Sequence, residues 1–127
     1  MEVPKDLLYT TEHEWIRVEG EQVYLGITDY AQDQLGDIVF VELPELETEV
    51  ITGDAIAVVE SVKAVSSVYS PVSGTVVESN IELEDLPELL NEEPYSNHIA
   101  VINISDPDEL EDLMSPADYE AFCAEQE

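Results

Sequence analysis

Short runs rich in β-branched and aromatic residues, separated by turn signals, recur along most of this 127-residue chain. The runs at 15–18 and 23–27 flank the polar turn Glu19-Gly20-Glu21-Gln22 and predict a hairpin over residues 14–27. Further strands are predicted at Asp37–Leu43, 55–59, 64–69, Thr75–Glu78 and Ile99–Ile104, with turns at Thr52-Gly53-Asp54 and 70–74. Many short strands at regular spacing are typical of a small barrel or sandwich.

A short helix is predicted directly after the first hairpin. Thr28 is suited to cap a helix from Asp29 to Leu35, and Gly36 is suited to end it. Residues 80–97 are acidic and predict an irregular segment with one turn of helix at 86–90.

Two more helices are predicted at the C-terminal end. Asp106-Pro107 and Ser115-Pro116 each combine a capping residue with proline at the first helical position. On the second helix Tyr119, Phe122 and Cys123 share one face, so we expect the single cysteine to be buried. The chain then forms one domain over 1–127, with a β core at about 14–104 and C-terminal helices at about 106–125.

Lys63 is one of three basic residues in the chain, against 31 acidic ones. It stands in Glu60-Ser61-Val62-Lys63-Ala64, between the predicted strands 55–59 and 64–69. This position predicts a primary amine at the tip of a hairpin, with no basic neighbour. A rigid scaffold that presents an exposed residue at a turn suits covalent attachment, although an ordinary surface lysine also fits the local sequence.

The formal net charge of −28 restricts the partners of the protein. Nucleic acid and anionic membranes attract clustered Lys and Arg, so neither is expected as a partner. The charge fits steering toward proteins with basic patches, or adaptation to a saline cytoplasm. The N-terminus lacks the basic and apolar parts of a signal peptide, which favours a cytoplasmic location.

No pattern typical of an enzyme active site stands out. The five glycines are isolated from one another, so no phosphate-binding loop is predicted. His13, His98 and Cys123 are too far apart in the sequence to give a metal-ligand spacing. We therefore expect a protein that is not itself an enzyme.

The segment from Glu60 to Ala64 resembles the lipoyl-attachment motif of the glycine cleavage system H proteins. The resemblance continues in order along the chain, through Tyr9…His13-Glu14-Trp15, Gly26–Gln32, Leu35–Pro44, Ser70–Gly74 and Pro87–Tyr95. It implies a mainly β fold, a flattened lipoyl-domain-like β-barrel/sandwich hybrid with a short helix after the first hairpin and a C-terminal helical tail.

The resemblance also implies a function. Lipoate would form an amide with Lys63, and a monomeric, non-catalytic carrier would move the aminomethyl group of glycine between enzymes. Those partners are a pyridoxal-phosphate glycine decarboxylase, a tetrahydrofolate-dependent aminomethyltransferase and dihydrolipoyl dehydrogenase, together with a lipoyl-attaching enzyme. In this family the loaded arm folds into a cleft, where Glu14 and Glu12 would by position form an acidic wall for the cationic cargo.

Two departures from the family pattern leave alternatives open. Ser67 stands near a position that is commonly acidic, and the run Ser96–Ala100 replaces a usual Gly-Trp pair. A divergent H-like lipoyl protein that serves lipoate relay or a sulfur-handling complex is the main alternative. A biotin carrier is disfavoured because Val62 and Ala64, rather than methionines, flank the lysine. An acidic interaction module with an unmodified Lys63 is the alternative outside the carrier class.

Overall fold

Two antiparallel sheets form the body of the molecule. The structure is a computed structural model that describes residues 1–126. One sheet has six strands in the order β1-β2-β3-β9-β8-β5, and the other has three in the order β4-β6-β7. The strands are β1 (Leu8–Tyr9), β2 (Glu14–Glu19), β3 (Gln22–Ile27), β4 (Ile38–Glu42), β5 (Glu49–Val50), β6 (Ala55–Ser61), β7 (Val65–Tyr69), β8 (Gly74–Ser79) and β9 (Ala100–Ile104).

The helices are short and occur in the connections between strands and after the last strand. They are α1 (Asp29–Leu35), α2 (Glu82–Asp85), α3 (Leu89–Glu92), a 3₁₀ helix (Pro107–Asp112) and α4 (Pro116–Gln126). Within residues 1–126, no helix is long and apolar enough to cross a bilayer.

The local start and stop signals for α1 act as expected. The Thr28 hydroxyl accepts a hydrogen bond from Ala31 N, and the Gly36 N–H donates to Gln32 O at 3.0 Å. Gly36 has φ +78° and ψ −155°, a conformation open to glycine and costly for other residues. The helix therefore ends at a backbone position that only glycine adopts without strain.

The main core lies between the two sheets. Apolar side chains that alternate along the strands fill it, including Ile16, Leu25, Val59, Val76 and Ile102, all at most 1% exposed. This alternation lets short strands suffice, because most of them contribute only one to three buried side chains to a shared interior.

A second, aromatic cluster fixes α4 to the edge of the large sheet. The rings of Tyr9 and Tyr119 stack with centroids 4.6 Å apart, and Trp15 and Cys123 are fully buried beside them. The Tyr119 hydroxyl lies 2.7 Å from Thr28 Oγ1 and 2.8 Å from His13 Nδ1. The C-terminal helix is thus tied to the cap of α1.

The predicted mainly β architecture, with a helix after the first hairpin and helices at the C-terminus, is confirmed. The expected burial of Cys123 and Tyr119 is also observed, with Phe122 partly buried against the same cluster. The prediction for 80–97 was wrong in part, because this segment holds two helices, α2 and α3. Sequence patterns also missed β1 and β5, whose two residues are too few to show a period.

Gly26 tests the packing of the aromatic cluster. A Cβ at this position would lie 2.6 Å from Trp15 Nε1, whose N–H donates to Pro94 O at 3.0 Å. We expect Gly26→Ala to lower the free energy of unfolding by roughly 1–3 kcal/mol, because the buried indole has to move. Denaturant unfolding followed by tryptophan fluorescence measures this.

Gly20→Ala is the comparison variant for Gly26→Ala. Gly20 has φ +64° and open space where its Cβ would be, so only backbone strain of about 1–2 kcal/mol is expected there. A red shift of the Trp15 emission in Gly26→Ala alone would support the packing argument. An unchanged Trp15 emission and unchanged stability in Gly26→Ala would contradict it.

Candidate functional site

A three-residue turn, Val62-Lys63-Ala64, joins β6 to β7 and presents Lys63 to solvent. Ser61 organises the turn from a nearly buried position, 6% exposed. Its hydroxyl oxygen accepts hydrogen bonds from Lys63 N (3.3 Å) and Ala64 N (3.0 Å), and its own N–H donates to Ala64 O (2.8 Å). The lysine backbone is therefore held by a local network.

The turn also rests on the chain that follows α1. Val62 N donates to Asp37 O at 3.0 Å, and the Lys63 Cε lies 3.4 Å from the point where a Cβ on Gly36 would be. In residues 1–126, Arg17 forms an ion pair with Glu19 and the His98 ring contacts the Glu78 carboxylate, and Lys63 takes part in neither contact.

The outer face of the small sheet continues from the turn. Phe40, Glu60 and Val65 are cross-strand neighbours on β4, β6 and β7, and all three are exposed. Directly opposed residues point to the same side of a sheet. An enzyme that approaches Lys63 from this side meets apolar surface with the carboxylate of Glu60 at its centre, beside the exposed Val62.

A cleft of about 330 Å³ opens at the other end of β7, and we call it the acidic cleft. The β7 strand runs from Val65 beside the turn to Tyr69 at the cleft, a rise of roughly 13 Å over four residue steps. Four carboxylates line the cleft, together with Thr10 and Tyr69: Glu12, Glu14, Glu109 and Asp112.

Glu14 is buried at the back of the acidic cleft, 2% exposed. Its Oε2 accepts the Tyr69 N–H at 2.6 Å, and its Oε1 accepts the Thr10 hydroxyl at 3.0 Å. Burial raises the pKa of Glu14 to about 7, although these two hydrogen bonds lower it. Near neutral pH this carboxyl is poised between its neutral and charged forms.

Glu109 holds the other wall of the acidic cleft in place. Its carboxylate, on the 3₁₀ helix, accepts from Thr52 Oγ1 (2.6 Å), Ser73 N (2.7 Å) and Ser73 Oγ (2.8 Å). These bonds, led by that from Thr52, lower the pKa of Glu109. These hydrogen bonds connect the 3₁₀ helix to the turns that contain Thr52 and Ser73, at the border of the cleft.

The structure separates the predicted site residues into two places. Glu60, Ser61, Val62, Lys63 and Ala64 lie together at the hairpin tip, as their spacing requires. Glu14 and Glu12 line the acidic cleft at the far end of β7, with Glu14 buried and Glu12 exposed.

Sequence reasoning missed Glu109 and Asp112 as cleft residues. In the sequence they are two of many acidic residues in the C-terminal region, and only the packing of the 3₁₀ helix brings them to the cleft. Among residues 1–126, no group of three or more His, Cys, Asp and Glu side chains is arranged to hold a metal ion.

The loop at 96–100, where the chain departs from the family pattern, is held by its own polar contacts. Asn97 Nδ2 donates to Glu93 O at 2.9 Å, and His98 Nε2 lies 2.7 Å from Glu78 Oε2. The His98 ring also meets Tyr24 edge-on, with centroids 5.2 Å apart. Residues 96–100 are not among those that line the acidic cleft.

Comparison with known proteins identifies the family of the chain. The family model described as Glycine cleavage H-protein matches residues 7–126. The chain belongs to this family. Its relatives include the glycine cleavage system H protein of Syntrophomonas wolfei subsp. wolfei (strain DSM 2245B / Goettingen), 54% identical over 127 residues, which are 100% of this chain and 98% of the relative. That of Clostridium botulinum (strain Okra / Type B1) is 56% identical over 125 residues, covering 98% and 96% of the two chains.

The fold is shared with a solved structure. The crystal structure of a glycine cleavage system H protein from Mycobacterium marinum superposes with a TM-score of 0.85 at 32% identity, covering 96% of this chain and 99% of the other. The expected lipoyl-domain-like fold is therefore confirmed. As a member of the H-protein family, the chain is a carrier protein of glycine cleavage, and the family implies a lipoyl cofactor.

The raised pKa of Glu14 predicts a pH dependence of stability. The folded protein holds this proton more tightly than the unfolded chain, whose carboxyl has the ordinary value of 4.5. The resulting stabilisation is fully present below about pH 4.5 and is lost as the pH rises through about 7. Glu14→Gln retains an acceptor for Tyr69 N and carries no charge. We expect the variant to become more stable relative to the wild type as the pH rises. The difference between their free energies of unfolding should change by roughly 2 kcal/mol between about pH 5 and about pH 8.

Glu12→Gln is the control for Glu14→Gln. It removes an exposed carboxylate from the same cleft, and we expect it to show a much smaller trend. Urea unfolding of all three proteins at several pH values gives the comparison. Parallel pH curves for Glu14→Gln and the wild type would show that Glu14 is not the buried acid described here.

Proposed function

We propose that Lys63 carries lipoate as an amide and that the protein delivers this group to the enzymes of glycine cleavage. The observation that carries the proposal is the placement of Lys63. It is exposed at the tip of a rigid hairpin whose backbone is fixed by Ser61, and its amine has no ion-pair partner among the described residues.

The surroundings of Lys63 fit an acylated lysine. Val62 and Ala64 on either side are exposed and uncharged, so the turn leaves room for an attaching enzyme. The lysine stem lies along Gly36, where the absence of a side chain leaves space for an aliphatic chain. Acylation removes one of three basic side chains and leaves the protein more acidic still.

The lipoyl group supplies a disulfide that accepts the aminomethyl unit of glycine, and is restored by oxidation of the resulting dithiol. The chain itself tethers and positions the lipoyl group and shelters its cargo. Tethering replaces diffusion of a free carrier with an effective local concentration that reaches the millimolar range. The protein needs no catalytic residues for this role.

The acidic cleft fits the shelter that a cationic cargo needs. It lies one length of β7 from the lysine turn, a distance that a lysine side chain extended by an eight-carbon acid spans. Glu14 is poised to lose its proton when a cation enters, because a nearby positive charge favours the carboxylate. Glu12 and Asp112 contribute negative charge at the same opening.

Partner enzymes are expected to present basic surfaces. We propose as partners the pyridoxal-phosphate decarboxylase, the tetrahydrofolate-dependent aminomethyltransferase, dihydrolipoyl dehydrogenase and a lipoyl-attaching enzyme. The net charge of −28 favours long-range attraction to positively charged docking sites. The cytoplasm is the proposed location, since it would hold all of these partners.

Intact-mass measurement tests the attachment directly. The protein is produced in lipoate-replete cells together with a lipoyl-attaching enzyme. We expect the wild type and Lys5→Arg to gain one lipoyl increment and Lys63→Arg to gain none, because Lys63 carries the group. Lys5→Arg is the matched control, since it makes the same exchange at the other lysine of the chain. A wild type of unmodified mass, or an increment retained in Lys63→Arg, would overturn the proposal.

A further inference from the structure

The turn that carries Lys63 is anchored outside its own hairpin by the segment Gly36-Asp37-Ile38, which we call the support loop. Val62 N donates across to Asp37 O at 3.0 Å, and the Lys63 stem lies over Gly36. Residues 62–65 are exposed, so packing alone does little to hold the turn, and Ser61 is the one buried residue beside it. The position of Lys63 therefore depends on where the support loop lies.

Asn91, on α3, clamps the support loop on both sides of Asp37. Its Oδ1 accepts the Ile38 N–H at 2.9 Å, and its Nδ2 donates to Gly36 O at 2.8 Å. The same Nδ2 donates to Gln32 Oε1 at 3.0 Å, which links the clamp to α1. Both hydrogens of this amide and its oxygen are used, so one side chain sets the path of three backbone residues.

We propose that Asn91 is a positioning residue for the acylation of Lys63. It acts through the support loop and the Val62–Asp37 hydrogen bond, without contact with the amine. The inference rests on the proposed attachment of lipoate to Lys63. In that step an activated lipoyl acyl phosphate reacts with Nζ: the Nζ–carbonyl bond forms, the bond from the carbonyl to the phosphate oxygen breaks, and the amine releases a proton.

The reason to expect an effect is geometric. An attaching enzyme must align Nζ with the acyl carbonyl, and a displacement of about 1 Å can cost on the order of a hundredfold in rate. A small reagent in solution makes no such demand, because it reaches an exposed amine from any direction. Loss of the clamp should therefore slow enzymatic acylation and leave the chemical reactivity of Lys63 unchanged.

Asn91→Asp and Asn97→Asp form a matched pair. Each replaces an amide by a carboxylate, adds one negative charge and removes two donated hydrogen bonds beside α3. Asn91 loses its bonds to Gln32 Oε1 and Gly36 O, whereas Asn97 loses its bonds to Leu89 O and Glu93 O. Only the first change touches the support loop.

Three readouts are made on the full-length chain: kcat/KM for enzymatic lipoylation, the ratio of Lys63 to Lys5 modified by dilute acetic anhydride, and the amide exchange rate of Val62. For Asn91→Asp we expect kcat/KM to fall roughly tenfold or more. We expect faster exchange of the Val62 amide and an unchanged Lys63 to Lys5 ratio. Asn97→Asp should match the wild type in all three.

Two results would overturn the inference. One is a kcat/KM and a Val62 exchange rate in Asn91→Asp equal to those of Asn97→Asp. The other is a Lys63 to Lys5 ratio that falls in parallel with enzymatic loading, which would mean that the amine is lost rather than misaligned. If the wild type is not lipoylated, the proposed function fails, and Val62 exchange alone still decides whether Asn91 sets the turn.

If Asn91→Asp does not fold, Gly36→Ala tests whether the support loop positions Lys63. It places a methyl group against the Lys63 stem, and Gly20→Ala makes the same exchange at a positive φ with open space around it. We expect lipoylation to slow in Gly36→Ala alone. Equal loading of the two glycine variants would contradict a role for the support loop in positioning Lys63.

Discussion

One buried carboxylate joins the two sheets where the acidic cleft begins. Glu14 starts β2 in the large sheet, and its Oε2 accepts the N–H of Tyr69, the last residue of β7 in the small sheet, at 2.6 Å. Hydrogen bonds to a carboxylate are among the stronger ones in proteins. Burial opposes the charge and raises the pKa of Glu14 to about 7. The contact between the sheets and the electrostatics of the cleft therefore depend on the same side chain.

The β7 strand links this contact to the turn that carries Lys63, the proposed attachment point. At one end, Ser61 and Asp37 fix the turn that presents the lysine, and at the other end Tyr69 meets Glu14. A carrier needs an attachment point that stays exposed and a shelter that stays at a constant distance from it. One short strand between the two would meet both needs of the proposed carrier, since the Lys63 turn and the acidic cleft lie at opposite ends of β7.

The parts of the fold predicted from sequence are those with local causes. Thr28 and Gly36 begin and end α1 through bonds to residues in the same turn, so the signals are contained in a few positions. The hydrogen bonds from Ser61 to the Lys63 turn are local in the same way. By contrast, α2 begins at Glu82 after Ile81, which makes no side-chain cap hydrogen bond. It is held by the burial of Leu83 against the core, which no local pattern shows. The burial of Glu14 and the bonds of Asn91 likewise join residues more than 50 positions apart.

The most direct test of Glu14 as the receiver of the cargo is the titration of its carboxyl by ¹³C NMR in lipoylated protein, with and without an aminomethyl group on the lipoate that we propose Lys63 carries. We expect a pKa near 7 for Glu14 in the unloaded protein, and a fall of roughly one unit or more when the cationic group enters the cleft. An identical titration of Glu14 in the two states would contradict the claim that this buried carboxyl receives the cargo.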